Sequence, residues 1–335
     1  MTLLRHILSK FAWYVAAFAA ALALNFFLPR LLPGNPVDSL ISQALRGTTS
    51  SETKQRVYET YIREFGLDQN LWSQFVTYVG NVLTGDFGTS FSRYPADVGT
   101  MIGDALPWTI LLQLPAVLLG WLIGNLIGAL AAYKRGGFDR SVYLTSLFLT
   151  AAPYYCLAVI LLYGLAVALP LFPTGGGWSF GLAPEWSGVF TMDAVSHWFL
   201  PFLSLLLVFI GGQAIGMRSM AVYEVDADYV RFAESFGLAD RKIVGYIFRN
   251  GMLPQITGLA LAIGTLIGGA LLTEIVFSYP GIGTLLYDAI LNKDYPVIQA
   301  VTLLVLIVVL VANFLVDVLY GFVDPRIRAA ERGDR

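Results

Sequence analysis

The sequence predicts an all-α polytopic membrane protein of about six transmembrane helices, with both termini cytoplasmic. Three observations carry that prediction. Of the 335 residues, 56% are hydrophobic and 13% charged, against about 45–50% and about 25% in a soluble domain. The charges cluster in loops, leaving six stretches near the roughly 20 apolar residues that cross a bilayer. Lys and Arg also favour alternate connections.

The six stretches are 11–28, 108–132, 142–169, 198–217, 255–277 and 297–320. The first ends at Pro29-Arg30 without a small-x-small cleavage pattern, so it reads as a retained helix and not a signal peptide. The third is long and contains Pro153, which predicts a kink or a tilt. Trp13, Trp108, Tyr133 and Trp198 fall at the predicted helix ends, where aromatic rings anchor at the interface.

Basic residues set the orientation. Loop 133–141 holds Lys134, Arg135 and Arg140, and loop 218–254 holds Arg218, Arg231, Arg241, Lys242 and Arg249. The tail carries Arg326, Arg328, Arg332 and Arg335. Segment 170–197 has no Lys or Arg, and 278–296 has Lys293 alone. The organisation expected is therefore an N-terminal helix (1–29), an extracytoplasmic insertion (30–106), a five-helix core (107–325) with a cytoplasmic loop at 218–253, and a cytoplasmic tail (326–335). Within the insertion, 51–65 is helix-compatible, with Val57, Tyr61 and Phe65 at helical spacing, and 85–95 reads as a structured loop. A second outer segment, 172–186, mixes glycines with Trp178 and Trp186.

Several function classes are disfavoured. A net charge of -2 gives no electrostatic reason to bind nucleic acid. Cys156 stands alone in an apolar run and reads as a core residue. His6 and His197 are predicted on opposite sides of the membrane, and no catalytic triad or metal-ligand spacing is present. No phosphate-binding Gly-rich loop occurs. The run 209–213, Phe-Ile-Gly-Gly-Gln, lies in a span, lacks the serine of an ATPase signature, and reads as coincidence.

Inside the spans the charged residues are Glu274 and Asp317, each near a helix end. Gln113, Asn125, Gln213 and Asn313 either line a path or bond helices together. No midplane ion-coupling site is evident, so an external energy source is the more economical expectation. Gly120, Gly124 and Gly128 share one face of the second span, as do Gly264 and Gly268 on the fifth. Such stripes let helix backbones approach, as a sliding interface or as static packing.

Loop 218–253 has internal punctuation. Asp226 or Asp228 caps a short helix over 229–236, and Gly237 ends it. Asp240 caps a second helix from about Arg241, and Pro254 marks the start of the fifth span. A charged surface interspersed with Tyr229, Phe232 and Phe236 suits insertion into a partner's groove; an ordinary connector is the other reading.

The run Asp228-Tyr-Val-Arg-Phe-Ala-Glu-Ser-Phe-Gly-Leu238 resembles the "EAA" coupling motif of ABC importer permeases, in its dipeptide/oligopeptide/nickel-type form. Block 272–283, with Glu274, Pro280, Gly281 and Gly283, is similar to a second family segment. Block 317–328 resembles the C-terminal signature, and Gly85-Asp-Phe-Gly-Thr-Ser90 an outer-loop motif. The sequence departs from the pattern in having Arg231-Phe232-Ala233 for Glu-Ala-Ala, and Gly245-Tyr-Ile-Phe where a His and a basic residue are frequent.

The resemblance implies a type I ABC importer permease fold and a permease role without catalytic residues, in the cell inner membrane. It implies ATPase coupling through Asp228, Tyr229, Arg231, Ala233, Glu234, Gly237, Leu238 and Asp240. The implied partners are a second homologous permease, two ABC ATPase subunits, an extracytoplasmic solute-binding protein and membrane lipid. No cofactor is expected on this chain, ATP and Mg being held by the ATPases. Oligopeptides or dipeptides are the implied solutes. Blocks 249–257 and 271–274 look closer to an oligosaccharide branch, and Trp178 and Trp186 suit either sugar contact or interfacial anchoring. Nickel is disfavoured for want of a histidine cluster. The rival class is a self-contained secondary transporter or channel; a membrane-embedded enzyme lacks paired catalytic groups.

Overall fold

The computed structural model describes residues 3–30, 59, 62, 68–185, 187–264 and 271–323. Its helices, in chain order, are α1 (Leu3–Arg30), α2 (Leu71–Thr84), α3 (Val98–Lys134), α4 (Gly136–Ala151) and α5 (Tyr154–Leu162). They continue with α6 (Gly188–Val225), α7 (Asp228–Ser235), α8 (Asp240–Gly264), α9 (Leu271–Val276), α10 (Ile282–Leu291) and α11 (Tyr295–Val323). The chain divides into two units, residues 1–107 with 281–335, and residues 108–280. Apart from Glu59 and Ile62, both helical, the expected helix over 51–65 lies outside the described residues, as do Trp186, Gly268 and the tail.

Among the described residues, α3, α6, Lys10–Phe27 of α1 and Tyr295–Leu315 of α11 are long and apolar enough to cross a membrane. The expected third span is two helices: α4 and the run from Tyr154 to Ala168 meet at 95°. Pro153 explains the break, because it has no N–H to continue α4 and instead precedes α5 in an extended conformation. The expected fifth span is shared between α8, residues 265–270 outside those described, and α9.

In the first unit α1 packs along α11. Phe11 and Tyr14 meet Phe314 edge-on at 6.1 and 5.6 Å. Asp317 accepts from Lys10 Nζ and Tyr14 Oη, each at 3.0 Å, so its charge is paired within the helix pair. At the other end, Asn25 Nδ2 donates to the Gln299 carbonyl at 2.8 Å. The outer segment 278–296, read from sequence as a connection, contains α10. Its Ile282, Leu285, Leu286 and Ala289 are buried, at helical spacing.

Loop 85–97 is held by one carboxylate. Gly85, at φ +76°, ends α2 in the left-handed conformation. Asp294, fully buried just before α11, accepts from Phe91 N at 3.0 Å, Ser92 N at 2.8 Å and Ser92 Oγ at 2.6 Å, and also from Ser90 Oγ. Backbone donors and hydroxyls aimed at a buried carboxylate replace its lost hydration.

In the second unit the glycine stripe of α3 lies against α6. A Cβ on Gly120 would stand 2.5 Å from Phe209 Cβ, and one on Gly124 2.6 Å from the Ile210 carbonyl oxygen. A Cβ on Gly128 would run into the Ala214 carbonyl oxygen. Beside them Asn125, fully buried, donates to the Trp121 carbonyl at 2.7 Å and to Gln213 Oε1 at 3.3 Å. Gly264 is the last residue of α8. Trp108 and Trp198 are not at helix ends, because α3 and α6 begin earlier than the apolar pattern suggests. Trp108 packs on Trp178 and Tyr279, and Trp198 stacks on Phe202 at 4.1 Å.

Candidate functional site

The 38 residues of α6 span about 57 Å at 1.5 Å per residue, against roughly 30 Å of bilayer hydrocarbon. Its ends therefore project from the membrane, and α7 is built on one of them. Eight residues are too few to hold a helix in isolation. α7 is held instead by burying Val230 and Ala233 against Ala132, Ala221, Val225, Ile243 and Ile247.

The sequence-derived caps need correction. Ala227 is the N-cap of α7, without a side-chain bond, and Asp228 is already in the first turn. Asp226 instead terminates α6 and accepts from Arg135 Nη2 at 2.6 Å. Asp240 is the first residue of α8 and accepts from Tyr133 Oη at 3.1 Å. Asp226 and Asp240 have thus found partners at the end of α3 and just after it, and Asp228 keeps a favourable place at the positive end of α7. Pro254 does not begin a new helix at the entry to the fifth span: it lies inside α8, which runs unbroken from Asp240 to Gly264.

Gly237 closes α7 at φ +67°. Its N–H bonds the Glu234 carbonyl at 2.9 Å and Leu238 N–H bonds the Ala233 carbonyl at 3.1 Å, a Schellman pair. Leu238 packs onto the same apolar cluster as Ala233. Further anchors come from α4 and α6. Arg218 holds Asp139 with two bonds of 2.6 Å and lies 5.0 Å over the Tyr143 ring. That paired hydrogen bonding holds the Asp139 carboxyl below the usual carboxylate range. Tyr229 Oη donates to Glu224 at 2.7 Å. Burial, then that bond, pushes its hydroxyl up to about 12.

What remains on the surface is apolar where it would ordinarily be polar. Phe232 and Phe236, one turn apart, are 65% and 68% exposed, with ring centroids 4.6 Å apart. With Tyr229, Ala233, Leu238 and Tyr246 they line an open groove of about 500 Å³. Arg231, Glu234, Asp228 and Asp240 are exposed on the same two helices. Of the sequence-derived coupling residues, Tyr229, Ala233 and Leu238 line the groove, the charged ones are exposed but do not line it, and Gly237 shapes the turn. Tyr246 was missed; the available signal was an aromatic on the exposed side of α8, next to the buried Ile243 and Ile247.

A second arrangement involves block 272–283. Glu274, on α9, is fully buried and accepts from Thr109 Oγ1 at 2.8 Å. After it the chain crosses the glycine-rich outer segment. Gly176 N–H bonds the Phe277 carbonyl at 2.8 Å, and a Cβ on Gly177 would stand 2.7 Å from Pro280. Gly281 is extended at the N-cap of α10, and Gly283 is buried in its first turn.

The family model described as "Binding-protein-dependent transport system inner membrane component" matches residues 124–329, which takes in α7 and Glu274. The chain belongs to this family. The inner membrane component is 34% identical over 342 residues to the di/tripeptide transport system permease protein DppB of Pseudomonas aeruginosa, covering 97% of this chain and 99% of that one. It is 34% identical to the oligopeptide transport system permease protein AppB of Bacillus subtilis, over 91% of this chain and 93% of that protein. It is 33% identical to the dipeptide transport system permease protein DppB of Escherichia coli K12, covering 97% and 99%. The chain is thus a multi-pass inner-membrane permease subunit of an ABC importer, a transport component and not an enzyme. Such a component works with ATPase and binding-protein partners.

Proposed function

We propose that this inner membrane component is one of two homologous permeases, driven by two ABC ATPase subunits and fed with dipeptides or oligopeptides by an extracytoplasmic binding protein. The observation that carries the coupling role is the exposed Phe232–Phe236 pair and its groove on a membrane-projecting element. Large apolar side chains concentrated on one small helix mark a partner surface. The ATPases hold ATP and Mg, and this chain binds neither. Their closure presses on α7, and the Schellman turn at Gly237 passes the displacement into α8. Because α8 is continuous to Gly264, a push at its start moves the membrane segment as a rigid rod.

The peptide class is favoured by the names of the relatives. The oligosaccharide alternative rests on blocks 249–257 and 271–274 and on Trp178 and Trp186. Trp178 packs against Trp108 and Phe190, which supports a structural role for its ring.

The test is copurification of the assembled importer in detergent. Phe232→Asp with Phe236→Asp should leave the permease in the membrane and lower ATPase recovery at least tenfold, as expected for aromatic anchors worth about 2 kcal/mol each. Undiminished ATPase recovery with the double variant would show that this surface is not the docking site. Uptake of labelled di- and tripeptides against an oligosaccharide, by the reconstituted importer with its binding protein, decides the solute class.

A further inference from the structure

The helix α2 has two apolar stripes, and α1 uses one of them. Phe75, Tyr78 and Val82 share one face, while Trp72, Val76 and Leu83 share the next; Ser73, Thr77, Asn81 and Thr84 take the opposite side. The 14 residues include no Asp, Glu, Lys or Arg. The first stripe meets α1: the Phe75 ring lies 5.3 Å from Phe26 and stacks on Phe27 at 5.9 Å. Tyr78 Oη accepts from Asn25 Nδ2 at 3.0 Å. The second stripe faces outward, with Trp72 71% and Leu83 75% exposed.

The level at which α2 docks identifies what covers that stripe. Asn25, Phe26 and Phe27 close the apolar window Lys10–Phe27 of a membrane-spanning helix. α2 therefore sits where the hydrocarbon ends, at the end of α1 remote from its N-terminus. The apolar surface is also continuous. Trp72 lies 5.8 Å from Phe75, Phe75 stacks on Phe27, and Phe27 and Leu24 are exposed along the span. Lipid that coats α1 at Leu24 and Phe27 meets the Trp72 stripe without crossing a polar boundary.

We propose that α2 is an interfacial membrane anchor, its Trp72–Val76–Leu83 stripe covered by acyl chains and its Ser73–Thr77–Asn81 face turned to water. Tryptophan is enriched at this depth, and a short helix lying in the interface plane buries one face among the headgroups and upper chains. The helix is delimited as such an anchor requires. Asn70 caps its start by accepting from Ser73 N at 2.8 Å, and Gly85 ends it. The stripe would hold the outer insertion against the bilayer on the side where solute arrives.

The experiment is site-directed spin labelling of the whole importer, cysteine-free apart from the labelled site, in phosphatidylethanolamine/phosphatidylglycerol vesicles. Nitroxides are placed one at a time at 76, 83, 77 and 81, all exposed positions. Accessibility to molecular oxygen is compared with accessibility to a water-soluble nickel chelate. At 76 and 83 oxygen access should exceed chelate access several-fold, with the reverse at 77 and 81. Chelate access at 76 and 83 equal to that at 77 and 81 would overturn the proposal. So would exclusion of both reagents at 76 and 83, since a protein surface would then be the occupant. A complex that still transports yet shows no helical period across the four sites overturns it as well.

Discussion

Gly124→Ala offers a direct reading of the α3–α6 contact. The added Cβ would stand 2.6 Å from the Ile210 carbonyl oxygen and 2.7 Å from Gln213 Cβ. Carbon and carbonyl oxygen meet across helix interfaces at about 3.3–3.6 Å, so α3 and α6 must part locally by roughly 0.7–1 Å. That strains the adjoining Asn125–Gln213 bond, already 3.3 Å long. Overpacking of this kind costs about 1–3 kcal/mol, outweighing the about 0.5–1 kcal/mol that Ala gains over Gly inside a helix. Gly245→Ala supplies the matched control: it lies in α8 with nothing within 4 Å of its added Cβ. Thermal unfolding of the importer in detergent should fall for Gly124→Ala and stay level or rise for Gly245→Ala. If both variants shift in the same upward direction, the close approach at Gly124 does not exist, and the stripe is not an interface.

Other perturbations address separate links. Gly237→Val places a β-branched residue at φ +67°, a local cost of about 1–2 kcal/mol or more; ATP hydrolysis by the importer should persist while uptake falls, and normal uptake would remove the turn from the coupling path. Asp294→Ala leaves the donors of Ser90, Phe91 and Ser92 without their acceptor, at about 3 kcal/mol or more in total; limited proteolysis should then cut within 85–97 far faster than in wild type. The Asp139 carboxyl is held below the usual range by Arg218. Its contribution is therefore complete above the unfolded carboxylate pKa of about 3.9 and is lost as pH falls through the lower folded value. Acid unfolding below about pH 4 should be steeper in wild type than in Asp139→Asn, and parallel curves would show that the pair does not stabilise the fold.

Much of the architecture was legible along the chain. Lipid forces a spanning segment to satisfy its own backbone bonds over about 20 apolar residues, so the spans announce themselves in hydropathy. Gly237 was legible for an equally local reason, since ending α7 in the left-handed conformation favours a residue without Cβ. The capping aspartates were not. Asp226 and Asp240 have the right residue type, but Arg135, just after α3, and Tyr133, in its last turn, engage them from about a hundred residues earlier. Nor was the continuity of α8 through Pro254, because a proline at a helix boundary cannot be told locally from one carried inside a continuous helix.

The sequence by itself determined that this chain carries helices long and apolar enough to cross a membrane, and a short helical element ended by Gly237. These are properties of composition and short-range order, and each is set within a few turns of helix. Only the tertiary structure decided which aromatics on that element remain exposed. Val230 and Ala233 are buried by Ala132, Ala221 and Ile247, and Phe232 and Phe236 are left outside. It likewise decided that Glu274 is buried against Thr109 and that Asp294 gathers loop 85–97. The physical reason is common to all three: a side chain's exposure and its hydrogen-bond partner depend on groups far away in sequence, and no local pattern encodes them.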